Sequence, residues 1–288
     1  MKRVLITGGT GFIGRHALPY LEARGFEVHA PDHHAVNLLD EAAQKALLDS
    51  VRPTHLLHLA WDVTPGKYWT SLSNIDWVRA SLSLFRHFAT AGGQRWVGAG
   101  TCAEYDWSCG PVLCENQTPL KPASLYGASK LSVGLLQEHM ARELGVSFAW
   151  GRIFYMYGPH EAAARLVPSL ISSLLAGQPA VCRQAHLLRD MLHVDDVARA
   201  FVEVLDSNVS GPVNIGSGQP VGLGKVAEVI AEACGRPELL ELGDGRFPSS
   251  DPLEITADIS KLRSIGFTPR YGLEEGIRQT VLTVCSTK

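Results

Sequence analysis

The chain has 288 residues, 45% of them apolar, with 26 basic against 29 acidic side chains and a formal charge of -3. That length suits one large core, or a core with a small second lobe. The balanced charge, without a Lys/Arg run, excludes an electrostatic footprint for nucleic acid or an anionic membrane, and no stretch approaches the roughly 18 apolar residues of a membrane span. Met1-Lys2-Arg3 leads into Val4-Leu5-Ile6, too short for a secretory signal core, so a soluble cytoplasmic protein is expected, with neither membrane nor nucleic acid among its partners. Six scattered cysteines predict neither disulfides nor a metal: Cys102, Cys109 and Cys114 match no common zinc spacing.

In chain order, Arg3–Thr7 reads as a strand, Gly14–Arg24 as a helix, Glu27–Ala30 as a strand and Glu41–Asp49 as a helix. His55–Ala60 is a predicted strand, Asn74–Ala91 a long helix and Arg95–Ala99 a strand. Then come Ser124–Leu144 (helix), Ser147–Ile153 (strand), Val167–Ala176 and Asp195–Leu205 (helices) and Pro212–Ile215 (strand). Strands alternating with helices of this length need crossover connections, hence a parallel sheet covered on both faces. Residues 235–252, rich in Gly, Pro and charge, suggest a looser C-terminal lobe.

The turn Thr7-Gly8-Gly9-Thr10-Gly11-Phe12-Ile13-Gly14 links the first strand to the first helix. Gly8, Gly11 and Gly14 permit a tight turn, close approach of the backbone to a pyrophosphate, and close helix–strand packing, with the anion on the helix N-terminus. Asp32 lies 18 residues past Gly14 at the end of the second strand, placed to accept adenosine ribose hydroxyls. That favours NAD, while His33 or His34 beside a 2′-phosphate would favour NADP, so both cofactors stay open. Asp40 reads equally as an adenine partner or as the N-cap of the helix from Glu41.

Tyr126 and Lys130 stand at i and i+4, on one face of a predicted helix. An ammonium near a phenol favours the phenolate and moves it toward working pH, so that Tyr126 can exchange a proton with an alcohol. Thr101, at the end of the strand before it, offers a second hydrogen bond to the reacting oxygen. His55 and His58, on an apolar strand, read as core residues. Trp61, Tyr68, Trp69 and Trp77 read either as a wall over the cofactor and substrate or as the packing of their own loop, and Trp107 as a lining residue.

These motifs, in this order, resemble the extended short-chain dehydrogenase/reductases, the NAD-dependent epimerase/dehydratase family acting on nucleotide-activated sugars. The likeness runs through the glycine turn, His58-Leu59-Ala60, Asn74, Thr101, Tyr126 and Lys130, Arg152 to Pro159, Arg189-Asp190, His193 to Asp196, and Asp258 to Pro269. It implies an α/β fold, a Rossmann-type doubly wound parallel sheet with a smaller, discontinuous C-terminal substrate lobe. Residues 1–158, joined by about 183–218, would bind NAD(P), and 159–182 with 219–288 would bind a nucleoside-diphosphate sugar. The resemblance assigns Thr101, Tyr126 and Lys130 to catalysis. It assigns Gly8, Gly11, Phe12, Ile13, Gly14, Asp32, His33, Asp40, Leu59, Ala60, Tyr126 and Lys130 to the cofactor. Cys102, Ala103, Glu104, Tyr155, His160 and Arg189 fall to the substrate, Arg189 as a diphosphate ligand. A homodimer through the Asn74–Ala91 and Ser124–Leu144 helices is also expected.

Family members that remove water across C5–C6 carry Asp-Glu directly after the Thr, where this chain has Cys102-Ala103, so a 4,6-dehydratase or decarboxylase is not expected. His160 stands as in GDP-fucose synthases, but the Cys that would pair with it is Ala103. The short link between Asp32 and the Asn37–Asp40 segment resembles that of sugar-ketone reductases. The expected function is thus NAD(P)-dependent reduction of a 4-keto-6-deoxy nucleotide sugar. A 4-epimerase is the alternative, and a non-catalytic NAD(P) sensor a distant one.

Overall fold

The computed structural model describes residues 2–32, 34–243 and 251–286. Val4-Leu5-Ile6 lies in β1 (Arg3–Thr7), and its three side chains have no exposed surface. Strand alternation sends Val4 and Ile6 into one core and Leu5 into the other. There follow α1 (Gly14–Ala23), β2 (Glu27–His29), α2 (Glu41–Val51), β3 (His55–His58), α3 (Ser73–Thr90) and β4 (Arg95–Thr101). Next come β5 (Val112–Leu113), α4 (Leu125–Leu144), β6 (Ser147–Ile153), β7 (Tyr155–Tyr157), α5 (Leu166–Leu175), β8 (Ala180–Cys182), β9 (Leu188–His193), α6 (Val194–Asp206) and β10 (Gly211–Ile215). The chain ends with β11 (Pro220–Gly222), α7 (Leu223–Ala233), β12 (Leu240–Leu242), β13 (Glu254–Ala257), α8 (Ser260–Arg263) and α9 (Leu273–Ser286).

Six strands pair in parallel in the order β10-β6-β4-β3-β1-β2. Helices α1 and α6 bury Ala17, Leu21, Val197 and Phe201 on one face; α2, α3 and α4 bury Leu48, Phe85, Phe88 and Val133 on the other. Each such large side chain contributes about 1.5–3 kcal/mol through burial. From β1 the chain adds β2 on one side and β3 on the other, so a crevice opens at the carboxyl ends of β1 and β3.

A second sheet, β11-β9-β13-β5 with β7 on β9, gathers short strands from distant parts of the chain. Asp190 in β9 clamps it, accepting from the N–H groups of Ser217, Gly218 and Ala257. Helices α5, α7 and α9, with the β8–β12 pair, enclose a separate core around Leu170, Ile171, Val226, Ile230 and Ile277. Among the described residues no helix is long and apolar enough to cross a membrane.

Candidate active site

The glycine turn is packed too tightly for side chains. Gly8 has φ +74°, and a Cβ there would lie 2.9 Å from the Ala60 nitrogen; one at Gly14 would lie 2.1 Å from the Gly8 oxygen. Gly11 N–H donates back to Gly8 O (3.0 Å), and the Leu59 and Ala60 N–H groups bond Thr7 at the end of β1. Helix α1 starts at Ile13 without a side-chain cap and without an acid in its first turn, leaving its positive end open to an anion. A dinucleotide pyrophosphate fits this cradle, which Phe12, Ile13, Leu59 and Ala60 flank. Asp32 follows β2 at the same end of the sheet and accepts from His34 N–H (2.7 Å). His33 lies outside the described residues. Asp40 caps a helix: its Oδ1 accepts from Ala42 and Ala43 at the start of α2.

Thr101 closes β4, and α4 brings Tyr126 and Lys130 against it. Ser124 fixes the start of α4 by accepting from Gly127 N–H (3.1 Å). Tyr126 is 9% exposed and Lys130 4%. The Tyr126 hydroxyl lies beside that of Thr101, while Lys130 Nζ donates to Ala99 O (2.8 Å) and sits 3.9 Å from the Trp61 ring. Burial and the neighbouring Tyr68 hold the phenol above its usual range, and the adjacent Thr101 hydroxyl draws it partly back. Burial pulls Lys130 down to about 7, against the opposing pull of Glu104. The sequence reading had Lys130 lowering Tyr126. In the fold the larger effect is desolvation, which favours the neutral form of both.

The aromatic stretch packs on itself and on the site. Trp61 stacks on Trp77 and donates to Asn74 Oδ1 (2.8 Å), while Tyr68 and Trp69 meet the Tyr126 ring edge to face. Ala103 and Trp107 join this cluster, and Trp107 Nε1 donates to Cys102 O. Two residues passed over in the sequence lie here. The Arg165 guanidinium stands 5.2 Å over the Tyr68 ring, and Glu161 has a buried carboxyl oxygen without a partner. Burial pushes Glu161 up to about 8, with Arg165 opposing. Both follow β7 in an irregular loop, where no periodicity marks them.

Several expected substrate residues face elsewhere. Glu104 has no exposed surface and pairs with Arg152 (2.8 Å) behind β4, so it cannot touch a substrate. Cys102 is buried in the core, its thiol pushed up by burial to about 12. Arg189 is 2% exposed and bonds the carbonyls of Leu188, Pro252 and Leu253 and the carboxylate of Asp251; it also covers the Tyr155 ring. Its ion-pair partner is Asp251. His160, with φ +71°, sets its ring 6.2 Å from His16 on α1, toward the phosphate end of the crevice. His58 is a core residue, held between Thr7 Oγ1 (2.7 Å) and Ser81 Oγ (2.9 Å), and burial takes it down to about 3.

Comparison with known proteins agrees with this geometry. The chain is 27% identical to UDP-glucuronic acid decarboxylase 1 of Xenopus tropicalis, across 97% of this chain and 71% of that protein. It is 26% identical to dTDP-L-rhamnose 4-epimerase of Burkholderia thailandensis, across 96% and 93% respectively. The crystal structure of Thermus thermophilus UDP-glucose 4-epimerase in complex with NAD superposes with a TM-score of 0.85 at 26% identity, covering 99% of this chain and all of that one. Residues 4–216 match the sequence model of the NAD dependent epimerase/dehydratase family. With most of its length matched, and a glycine cradle and a Thr–Tyr–Lys group in the corresponding fold, the chain belongs to the NAD-dependent epimerase/dehydratase family.

Proposed function

We propose that this chain interconverts a hydroxyl and a ketone at C4 of a nucleotide-activated hexose, and that its net reaction is 4-epimerisation. The observation that carries the chemistry is the Thr101 and Tyr126 hydroxyls side by side, with the buried Lys130 held on Ala99 O one helical turn along. Gly8, Gly11, Phe12, Ile13, Gly14, Asp32, Leu59, Ala60 and Lys130 would hold the dinucleotide, NAD or NADP. When bound, it supplies a hydride acceptor and donor. Tyr126 Oη as phenolate takes the proton of the C4 hydroxyl, and as phenol returns one to the C4 ketone. Thr101 Oγ1 orients the same sugar oxygen. A charged Lys130 stabilises the phenolate.

Two relatives matched over nearly their whole length are 4-epimerases, which supports that net reaction. Reduction of a 4-keto-6-deoxy sugar is the second reading. It is favoured by the short Asp32–Asn37 link and by burial that keeps Tyr126 protonated, the form that gives a proton to a ketone. Elimination or decarboxylation is disfavoured, because Cys102-Ala103 follow Thr101 and the Glu104 carboxylate points into the core. We assign the lobe of 159–182 and 219–288 to the sugar nucleotide. We assign a homodimer contact to α3 and α4, where Ile75, Leu135 and Leu136 are exposed.

The test is to denature freshly purified protein and identify the dinucleotide released. Stoichiometric NAD supports the epimerase. Protein free of dinucleotide that binds NADH or NADPH reversibly transfers the assignment to the reductase. Tyr126→Phe is expected to lower turnover about 10²- to 10⁴-fold; full activity in that variant overturns the catalytic assignment.

A further inference from the structure

Directly behind the proton-handling pair lies a carboxylate that no step of the reaction uses. Thr101-Cys102-Ala103-Glu104 turns as a short 3₁₀ helix closed by a capping box, which folds the Glu104 side chain back onto the Thr101 backbone. Three N–H donors converge on its two oxygens: Thr101 N (2.9 Å) and Trp150 Nε1 (2.9 Å) on Oε1, and Arg152 Nε (2.8 Å) on Oε2. An ionised carboxylate satisfies that demand; an amide, with a donor of its own, does not. Arg152 passes the network on to the Tyr105 hydroxyl, which donates to Asn214 in β10. Room for this assembly comes from Gly100, where a Cβ would lie 2.2 Å from Trp150 Nε1 and 2.5 Å from Glu104 Oε1.

Two positions at the end of β4 matter to the chemistry and adjoin this turn. Thr101 presents its hydroxyl to Tyr126 while its N–H is held by Glu104, and two residues earlier the Ala99 carbonyl holds Lys130 Nζ. We propose that Glu104 is a positioning residue for the Thr101–Tyr126–Lys130 group: its carboxylate fixes the end of β4 and supplies the buried negative charge that Lys130 faces. The inference rests on the oxidoreductase reading above and deepens it. The groups around Lys130 are the Glu104 carboxylate, the Ala99 carbonyl, the Trp61 and Trp150 rings and the uncharged His58. Around Tyr126 they are Tyr68, Thr101, Glu104 and Cys102. Glu104 raises both Lys130 and Tyr126, so its loss moves both titrations toward acid.

The test compares the wild-type chain with Glu104→Gln and with the double variant E104M/R152M. The double variant replaces the whole buried pair by apolar side chains of similar volume, a change that buried ion pairs commonly tolerate. Three quantities are read: the Lys130 titration, followed by NMR of its side-chain carbon; NADH affinity by fluorescence; and kcat with its pH profile on a nucleotide sugar that the wild type turns over. The expected result is a Lys130 midpoint lower by about one pH unit, a kcat lower by about 10- to 100-fold, and unchanged NADH affinity. A folded E104M/R152M protein with the wild-type midpoint, or with the wild-type kcat, overturns the proposal. The Lys130 midpoint needs no substrate, so it judges Glu104 even if Tyr126→Phe proves fully active and the catalytic reading itself fails.

Discussion

Lys130 and Arg152 are both almost fully buried cations that feel the Glu104 carboxylate, and the fold treats them oppositely. Burial works against the charge of Arg152, but Glu104 and Tyr105 outweigh it and leave the guanidinium above its ordinary range. Lys130 receives one carbonyl and one indole face, and burial prevails, leaving it near 7. A paired, hydrogen-bonded ion is a structural device; an under-compensated ion of the same sign is a reactive one. The largest expected effect of breaking this contrast lies on the structural side. Arg152→Met leaves the Glu104 carboxylate buried without its partner and is expected to cost about 3–5 kcal/mol in a urea unfolding experiment. A loss below about 1 kcal/mol would mean that water or a rearranged donor replaces the guanidinium.

On the reactive side the sign reverses. For Lys130 the folded value, about 7, lies below the ordinary 10.5, so the native state binds fewer protons than the unfolded chain between those limits. The resulting destabilisation is full below about pH 7 and fades as pH rises toward 10.5. Lys130→Met is therefore expected to stabilise the cofactor-free protein by about 2 kcal/mol at pH 7, allowing for the lost indole contact, and by little at pH 10, while greatly reducing turnover. Thermal melts at the two pH values check this, and equal gains at both would remove the titration argument. Such an exchange of stability for activity is the usual mark of a functional group.

The contrast also divides what the sequence made legible. Buried strands such as Val4-Leu5-Ile6, the glycine turn and the Tyr126–Lys130 spacing are local patterns, and the first sheet follows from them in order. The second sheet escaped because β5, β7 and β13 are short and pair with strands distant in the chain, Tyr155 with Met191, Glu254 with Leu188 and Thr256 with Val112. Helices α7 and α9 lie on either side of the 235–252 stretch, outside the elements expected from the sequence. Glu104 is the instructive case. The family resemblance assigns it to the substrate, whereas Thr101-x-x-Glu104 is itself the signature of a capping turn that folds it away. Arg189 shows the opposite limit: its partner, Asp251, is 62 residues away, and no local pattern indicates it.

Glu161 completes the comparison as an acid in the position Lys130 occupies as a base. It follows the Tyr157-Gly158-Pro159-His160 turn, keeps one carboxyl oxygen buried without a hydrogen bond, and has Arg165 as its nearby cation. Its folded value of about 8 stands above the ordinary 4.5, so between these limits the native state holds a proton that the unfolded chain has released. Its destabilisation is therefore absent below about pH 4.5 and full above about 8, the reverse of the Lys130 profile. Glu161→Gln, which keeps the shape of the protonated acid, is expected to leave stability unchanged at pH 5 and to raise it by about 1 kcal/mol at pH 9, roughly the equivalent of one pKa unit. Because Arg165 covers Tyr68, and Tyr68 meets the Tyr126 ring, a loss of turnover in Glu161→Gln at unchanged fold would place this carboxyl among the groups that contact the sugar. Unchanged turnover with the pH-dependent gain in stability would make it a strained loop residue on the rim of the site.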